Sequence, residues 1–334
     1  MVPASFASAT FRRAGAPGKL PIGLIVLLLC LGQVVLWGIA TAYAYKAPEL
    51  DSAEQFIWSF ALEGGYWKHP PVPSWIMHFL VAVFGPSVPL PYIATQVAIV
   101  TAMALTWRLA CEFMTPQRAL IAMLLTSLVT YHNIGGDNYN HNTVLLPFQA
   151  AMALCFFLAA RRASVRWWLL AGVFAGLSLL VKYVAAMPIA GLLLYFLLDR
   201  SLHQRRNVIG LALATLAGLL VLLPHVLWVI DTRYMIFNYA RMTVHRTVGW
   251  FGFLHTMAAF LGMQLVRLGP LLLALGLFIR LGGRTRPATA RPQAGTLAAS
   301  MEPAVDKPLS GPVAGTAPAM ASASASALAS AAPI

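Results

Sequence analysis

A chain of 334 residues that is 59% hydrophobic and only 10% charged, with mean hydropathy +0.74, stands far from the roughly 25% charged residues of soluble domains. That much apolar surface has no single water-soluble core to hide in, which leaves a polytopic helical membrane protein. The net charge of +13 invites a nucleic-acid partner, but the basic residues punctuate the apolar runs as the positive-inside rule requires, so no nucleic acid is expected.

Residues 1–20 read as a cytoplasmic basic tail with Arg12, Arg13 and Lys19. Residues 21–43 are apolar over the roughly 20 residues that a crossing needs. Ala42-Tyr43-Ala44 resembles a signal-peptide cleavage site, but the run exceeds the roughly 7–15 residues of a signal-peptide core, so a retained span is expected. A first outer loop, 44–88, follows, with juxtamembrane helices. Within it Val72–Gly85 is short and bracketed by prolines. Counting it as a crossing would turn Arg161, Arg162 and Arg166, and then Arg200, Arg205 and Arg206, to the outer side, so it is read as an interfacial helix.

Later apolar runs fall at about 89–109, 117–134, 143–160, 166–181, 184–199, 207–230 and 265–281. The expected fold is all-α, a transmembrane bundle of about eight spans over 21–283, with both termini in the cytoplasm. Most of the 23 Lys and Arg residues then lie inside, while Glu49, Asp51, Glu54, Glu63, Asp137 and Asp231 gather outside. Residues 251–264 are expected to lie along the membrane before the last span. The Ala/Ser/Pro-rich stretch 284–334 cannot bury a core and is expected to be disordered. Cys30, Cys111 and Cys155 lie in or beside apolar runs without paired spacing and read as small hydrophobes.

The outer loops hold the groups suited to chemistry. Asp51, just beyond the first span, can serve as a general base or bind a metal; an ordinary exposed acid reads the same. Lys68-His69-Pro70-Pro71 presents two donors on a backbone that the prolines fix, suited to a phosphate; interfacial anchoring beside Trp67 and Trp75 is the alternative. Asp137-Asn138-Tyr139-Asn140-His141-Asn142 can bind sugar hydroxyls, or can simply cap the helix that follows. Lys182 interrupts a long run that is nearly free of charge; it either binds an anionic lipid phosphate or snorkels at a bend. Arg241, His245 and Arg246 share one helix side, for phosphate binding or headgroup attraction.

Four features in order resemble the GT-C superfamily of membrane glycosyltransferases: Glu49-Leu50-Asp51 with Glu54 after the first span, His69-Pro70-Pro71 closing the loop, Gly176 through Tyr183, and Leu223-Pro224-His225-Val226-Leu227-Trp228. The nearest likeness is to the bacterial branch related to dolichyl-phosphate-mannose–protein mannosyltransferases and the aminoarabinose transferases of lipid A. The resemblance implies a multi-pass enzyme of the bacterial inner membrane. Its site would face the exterior, where it takes a sugar from a polyprenyl-phosphate donor and passes it, with inversion, to a lipid, glycan or protein hydroxyl. It implies Asp51 as the catalytic carboxylate. It implies His69 at the donor phosphate, with Lys68, Lys182 and Arg241 as further phosphate candidates, and Asp137, Asn140, Asn142 and Glu54 as sugar or acceptor contacts or a second acid. No cofactor is implied with certainty; a divalent cation at Asp51 and Asp137 is an option. Lys68-His69 stands where the aminoarabinose branch has an acid and a lysine, and asparagine stands where many relatives carry their second acid. The family usually continues with more spans and an outer domain, which keeps a truncated non-catalytic homologue as an alternative. A transporter or flippase of polyprenyl-linked sugars is the other, though neither inverted repeats nor paired broken helices are seen.

Overall fold

The computed structural model describes residues 20–133, 136–244 and 249–282. The basic tail, the 284–334 stretch, His245 and Arg246 lie outside the described residues. Among those described there are eleven helices and no strand. In chain order they are α1 (Ile22–Ala44), α2 (Leu50–Trp58), α3 (Val72–Phe84), α4 (Pro89–Ala110), α5 (Pro116–Ser127), α6 (His141–Arg162), α7 (Val165–Val181), α8 (Ala186–Leu198), α9 (Arg205–Asp231), α10 (Met235–Val244) and α11 (Trp250–Gly282). Helices α1, α4, α6, α9 and α11 are long and apolar enough to cross a bilayer; α3, α7 and α8 are apolar but shorter. Leu216, Leu219, Leu220, Leu223 and Leu227 stand about half-exposed along α9, a surface that hydrocarbon accepts and water does not. The chain is a multi-pass, all-helical membrane protein.

Two expectations change. The run 117–134 is not one helix: α5 stops at Ser127, and a 3-10 turn at Thr130–His132 follows. The chain then passes along a segment held by side chains of other helices. Gln33 of α1 donates to the His132 carbonyl (2.7 Å) and Gln96 of α4 to the Gly136 carbonyl (2.8 Å). Gln96 lies seven residues into α4, about 10 Å along it at 1.5 Å per residue. Non-helical backbone at that depth is tolerated because protein groups satisfy it. The second change is at the C-terminal end, where 251–264 and 265–281 form one continuous helix, α11. Its Pro270 removes one backbone donor without breaking it. The run 72–85 forms α3, whose 13 residues span about 20 Å. Its Val72 and Met77 join Tyr139, Val144, Leu180 and Val181 in one buried cluster.

The centre of the bundle is α6, α7 and α9. Helices α6 and α7 are joined by only Ala163 and Ser164, with Ala163 in the left-handed region (φ 46°). Helices α7 and α9 meet along small residues. A Cβ on Gly172 would strike the Ala214 carbonyl, and one on Gly176 would come 2.8 Å from the Gly218 carbonyl. Backbones approach this closely only through such small-residue stripes, which are the usual glue between membrane helices.

These directions give the molecule two poles. Helix α6 spans roughly 33 Å at 1.5 Å per residue, from His141 to Arg162. One pole gathers the start of α6, the end of α7, α2 and the loop between α2 and α3. The other gathers the ends of α4 and α6 and the starts of α7 and α9, with Arg108, Arg161, Arg162, Arg166, Arg205 and Arg206.

Candidate active site

Helix α2 turns a polar face inward. Ser52, Gln55 and Ser59 are almost fully buried, at the i, i+3, i+7 spacing of one helix side. Ser52 Oγ donates to Asn138 Oδ1 (2.8 Å) and accepts from the Tyr139 amide (2.8 Å). Gln55 Oε1 accepts from Ser74 Oγ of α3 (2.8 Å). These bonds fix α2 between α3 and the start of α6. They leave Asp51, in the first turn of α2, exposed.

The loop from α2 to α3 closes on itself. Tyr66 and His69 exchange backbone hydrogen bonds (2.9 and 3.2 Å), Tyr66 stacks on Trp58 (4.9 Å between centroids), and its hydroxyl donates to the Ala61 carbonyl (2.7 Å). Gly64 and Gly65 let this loop lie flat on α9, since a Cβ on either would come within 2.6 Å of the Trp228 side chain. His225 of α9 pins the same point, with Nδ1 2.6 Å from the Gly64 carbonyl and Nε2 2.7 Å from the Tyr183 hydroxyl. The loop therefore delivers Lys68 and His69 to fixed positions.

Lys68 Nζ pairs with Glu54 Oε2 at 2.8 Å. The His69 ring lies 3.9 Å, centroid to centroid, from that of His141 at the start of α6. Lys182, in the extended residue that ends α7, donates to Asn142 Oδ1 (2.5 Å). Burial, with the Lys68 and Lys182 cations nearby, pushes the His69 imidazole from its usual 6.5 down to about 4, against the opposing pull of Asp51. His69 is therefore neutral at pH 7. Burial also lowers the Lys182 ammonium, again opposed by Asp51. Asp51 thus lies within electrostatic reach of both His69 and Lys182.

The structure sorts the candidates. Asp51, Lys68, His69, Lys182 and Asn142 come together. Glu54 is engaged with Lys68, so it acts on that cation before any sugar. Asn140 caps α6, its Oδ1 accepting from the amides of Asn142 and Thr143; its carbonyl oxygen is committed to the helix. Asp137 lies with Glu49 within electrostatic reach of Tyr92 of α4. Among the described residues no three His, Cys, Asp or Glu side chains converge in a metal-binding group. Arg241 is exposed on α10, which meets the loop through Tyr239 on Trp67 (4.5 Å between centroids) and not through the arginine. Residue-by-residue reasoning missed Ser52 as the anchor of α2; the Gly64-Gly65 pair was the available sign that the loop lies against another element.

An apolar cavity of about 1000 Å³ opens beside this cluster, bounded by α3, α4, α6 and α7. Tyr139, whose amide donates to Ser52, lines one end.

Residues 68–228 match the family described as dolichyl-phosphate-mannose-protein mannosyltransferase. This segment, a little under half of the chain, is similar to that family. It takes in Lys68, His69, Asn142, Lys182 and His225; Asp51 and Glu54 precede it and Arg241 follows it. The chain is similar to two lipopolysaccharide core galacturonosyltransferases of Rhizobium johnstonii, RgtA (28% identical over 54% of this chain and 36% of that protein) and RgtB (27% over 63% and 43%). The lipid A galacturonosyltransferase RgtD of the same organism is 24% identical over 61% of this chain and 42% of its own length. The chain thus spans well under half of each relative. No solved structure matches it.

Proposed function

We propose that this protein is a membrane glycosyltransferase that moves a sugar from a polyprenyl-phosphate donor to a hydroxyl of a lipid or glycan, on the non-cytoplasmic face of the bacterial inner membrane. The observation that carries the reading is the meeting of a carboxylate, two lysines and a neutral imidazole at one pole, beside an apolar cavity. The names of the relatives favour a lipopolysaccharide acceptor among the lipid, glycan and protein hydroxyls that the resemblance allows.

The chemistry divides among these groups. Asp51, exposed in the first turn of α2, takes the proton of the acceptor hydroxyl as its oxygen bonds to the anomeric carbon. The bond from that carbon to the phosphate oxygen breaks, and the electron pair leaves with the polyprenyl phosphate. Charge building on that phosphate is met by Lys182 and Lys68, while the neutral ring of His69 donates a hydrogen bond. Such groups stabilise most when they are already in place. The two lysines are not equal. Lys68 is paired with the Glu54 carboxylate, whereas Lys182 donates to the uncharged Asn142.

The test incubates purified protein in lipid bilayers with a set of polyprenyl-phosphate sugars and lipopolysaccharide acceptor, with product read by mass spectrometry. Transfer is expected from the wild type, and Asp51→Asn is expected to lose roughly 10²–10⁴-fold with unchanged thermal stability. Full turnover in Asp51→Asn would remove the base assignment. Transfer from a nucleotide sugar and from no polyprenyl donor would remove the donor.

A further inference from the structure

The opposite pole holds a second site. Glu112, in the loop after α4, is mostly buried and is shared by three arginines. Arg108 lies 2.7 Å from Oε1, Arg162 3.5 Å from Oε1 and Arg161 3.4 Å from Oε2. Their side chains are 40–47% exposed against 11% for Glu112. Each guanidinium carries five N–H donors and one carboxylate offers about four acceptor positions, so most donors still point outward. Two positive charges remain uncompensated.

The cavity beside α4 leads to this cluster. Thr101 and Leu105 of α4 line it, and Arg108 continues their stripe at the next helical turn. Phe148, Ala151 and Cys155 of α6 line it as well, and Arg162 lies two turns beyond Cys155 on the same side. On α7 the wall begins at Trp167, with the Arg166 guanidinium 4.9 Å from the centre of its ring. From Pro89 to Leu105 the lined length of α4 is about 24 Å at 1.5 Å per residue, most of the roughly 30 Å of hydrocarbon in a bilayer.

We infer that this pole binds an acidic phospholipid, its headgroup phosphate on Arg108, Arg161 and Arg162 and one acyl chain in the cavity past Trp167. The charge of the cluster selects the headgroup, because guanidinium groups match phosphate oxygens in pairs. The depth selects a lipid over a soluble anion, because the cluster stands at the ends of spanning helices, where headgroups lie.

The test uses the full chain purified in dodecylmaltoside and exposed to phosphatidylglycerol or phosphatidylcholine carrying a photoreactive group on one acyl chain. Retained lipid is counted by native mass spectrometry and crosslinks are mapped by peptide. Preferential retention of phosphatidylglycerol, weakening with salt, with crosslinks on the cavity faces of α4 and α6, is expected. The double variant Arg108→Gln/Arg162→Gln is expected to lose roughly tenfold in retention. Glu112→Gln removes the competing carboxylate and is expected to retain phosphatidylglycerol at least as well as the wild type, even where its thermal stability falls. Equal retention of the two lipids, or unchanged retention in the double variant, would overturn the headgroup site. Crosslinks confined to other surfaces would overturn the acyl path. Neither readout depends on sugar transfer, so it stands or falls apart from the reaction proposed above.

Discussion

Lys182 shows how one side chain can be read twice. In the sequence it is the lone charge in a long apolar stretch, and an uncompensated cation at membrane depth marks function by default. In the structure its partner is the neutral Asn142, so the charge is steered without being cancelled. Lys182→Met is expected to lower the rate of transfer roughly hundredfold, as loss of a preorganised stabilising donor does. Arg241→Met, at an exposed position on α10, is expected to change it less than threefold; a steady-state assay on both variants decides between them. His69 contributes to the pH dependence. Its folded value of about 4 lies below the usual 6.5, so between those values the unfolded chain binds a proton that the folded site refuses. Stability at this site is then full above about pH 6.5 and is lost progressively as pH falls towards 4. Thermal unfolding from pH 7 to 4.5 is expected to show a shallower loss in His69→Asn than in the wild type; parallel curves would refute this. Ser52, by contrast, was invisible in the sequence. The inward face of α2 is polar, so an amphipathic pattern points to the wrong side, and its partner Asn138 lies far along the chain.

At the scale of elements, hydrophobic periodicity located α1, α4, α6, α7, α8 and α9 to within a few residues, because each is apolar and ends at a charge, a proline or a polar cap. The same signal overran at α5. Hydropathy sees apolar side chains after Ser127, but not the two glutamines on other helices that satisfy a chain leaving the helix there. It also split α11, since the amphipathic start of that helix looks interfacial while its backbone continues unbroken. The seam between α7 and α9 makes a quantitative claim. Gly172→Val places a branched side chain against the Ala214 backbone and is expected to destabilise by about 1–3 kcal/mol, as overpacking does. Gly191→Val of α8, where nothing lies within 4 Å of the added carbon, is the control. Thermal melts in detergent separate the two, and equal melting temperatures would remove the close-packed seam.

At the scale of the whole molecule the two poles differ in kind. One combines acids, lysines and histidines, and the other is built on arginine. By the positive-inside rule the arginine pole is expected in the cytoplasm, and Asp51 outside. In a background lacking Cys30, Cys111 and Cys155, Asp51→Cys is expected to react with an impermeant maleimide applied to intact spheroplasts. Arg162→Cys is expected to react only after lysis. The reverse pattern would place the carboxylate where no extracytoplasmic acceptor could reach it. The arrangement was legible as a bias in loop charges, and the resemblance already set Lys68, His69 and Lys182 on one phosphate; the way the loop between α2 and α3 folds back over α9 was not legible, because it depends on contacts far apart in the chain.

The glutamine seam bears on the order in which the chain is built. Gln33 is near the middle of α1, and besides Gln96 (3.3 Å) its amide serves the carbonyl of His132. During synthesis the first helix enters the bilayer well before either group has emerged from the ribosome. Until the segment around Gly136 arrives, these amides sit in hydrocarbon with at most each other to bind. The pole that carries Asp51 is therefore assembled late, by a polar latch that waits on the segment just before α6, and a nascent chain halted before that point would leave two amides without their carbonyl partners.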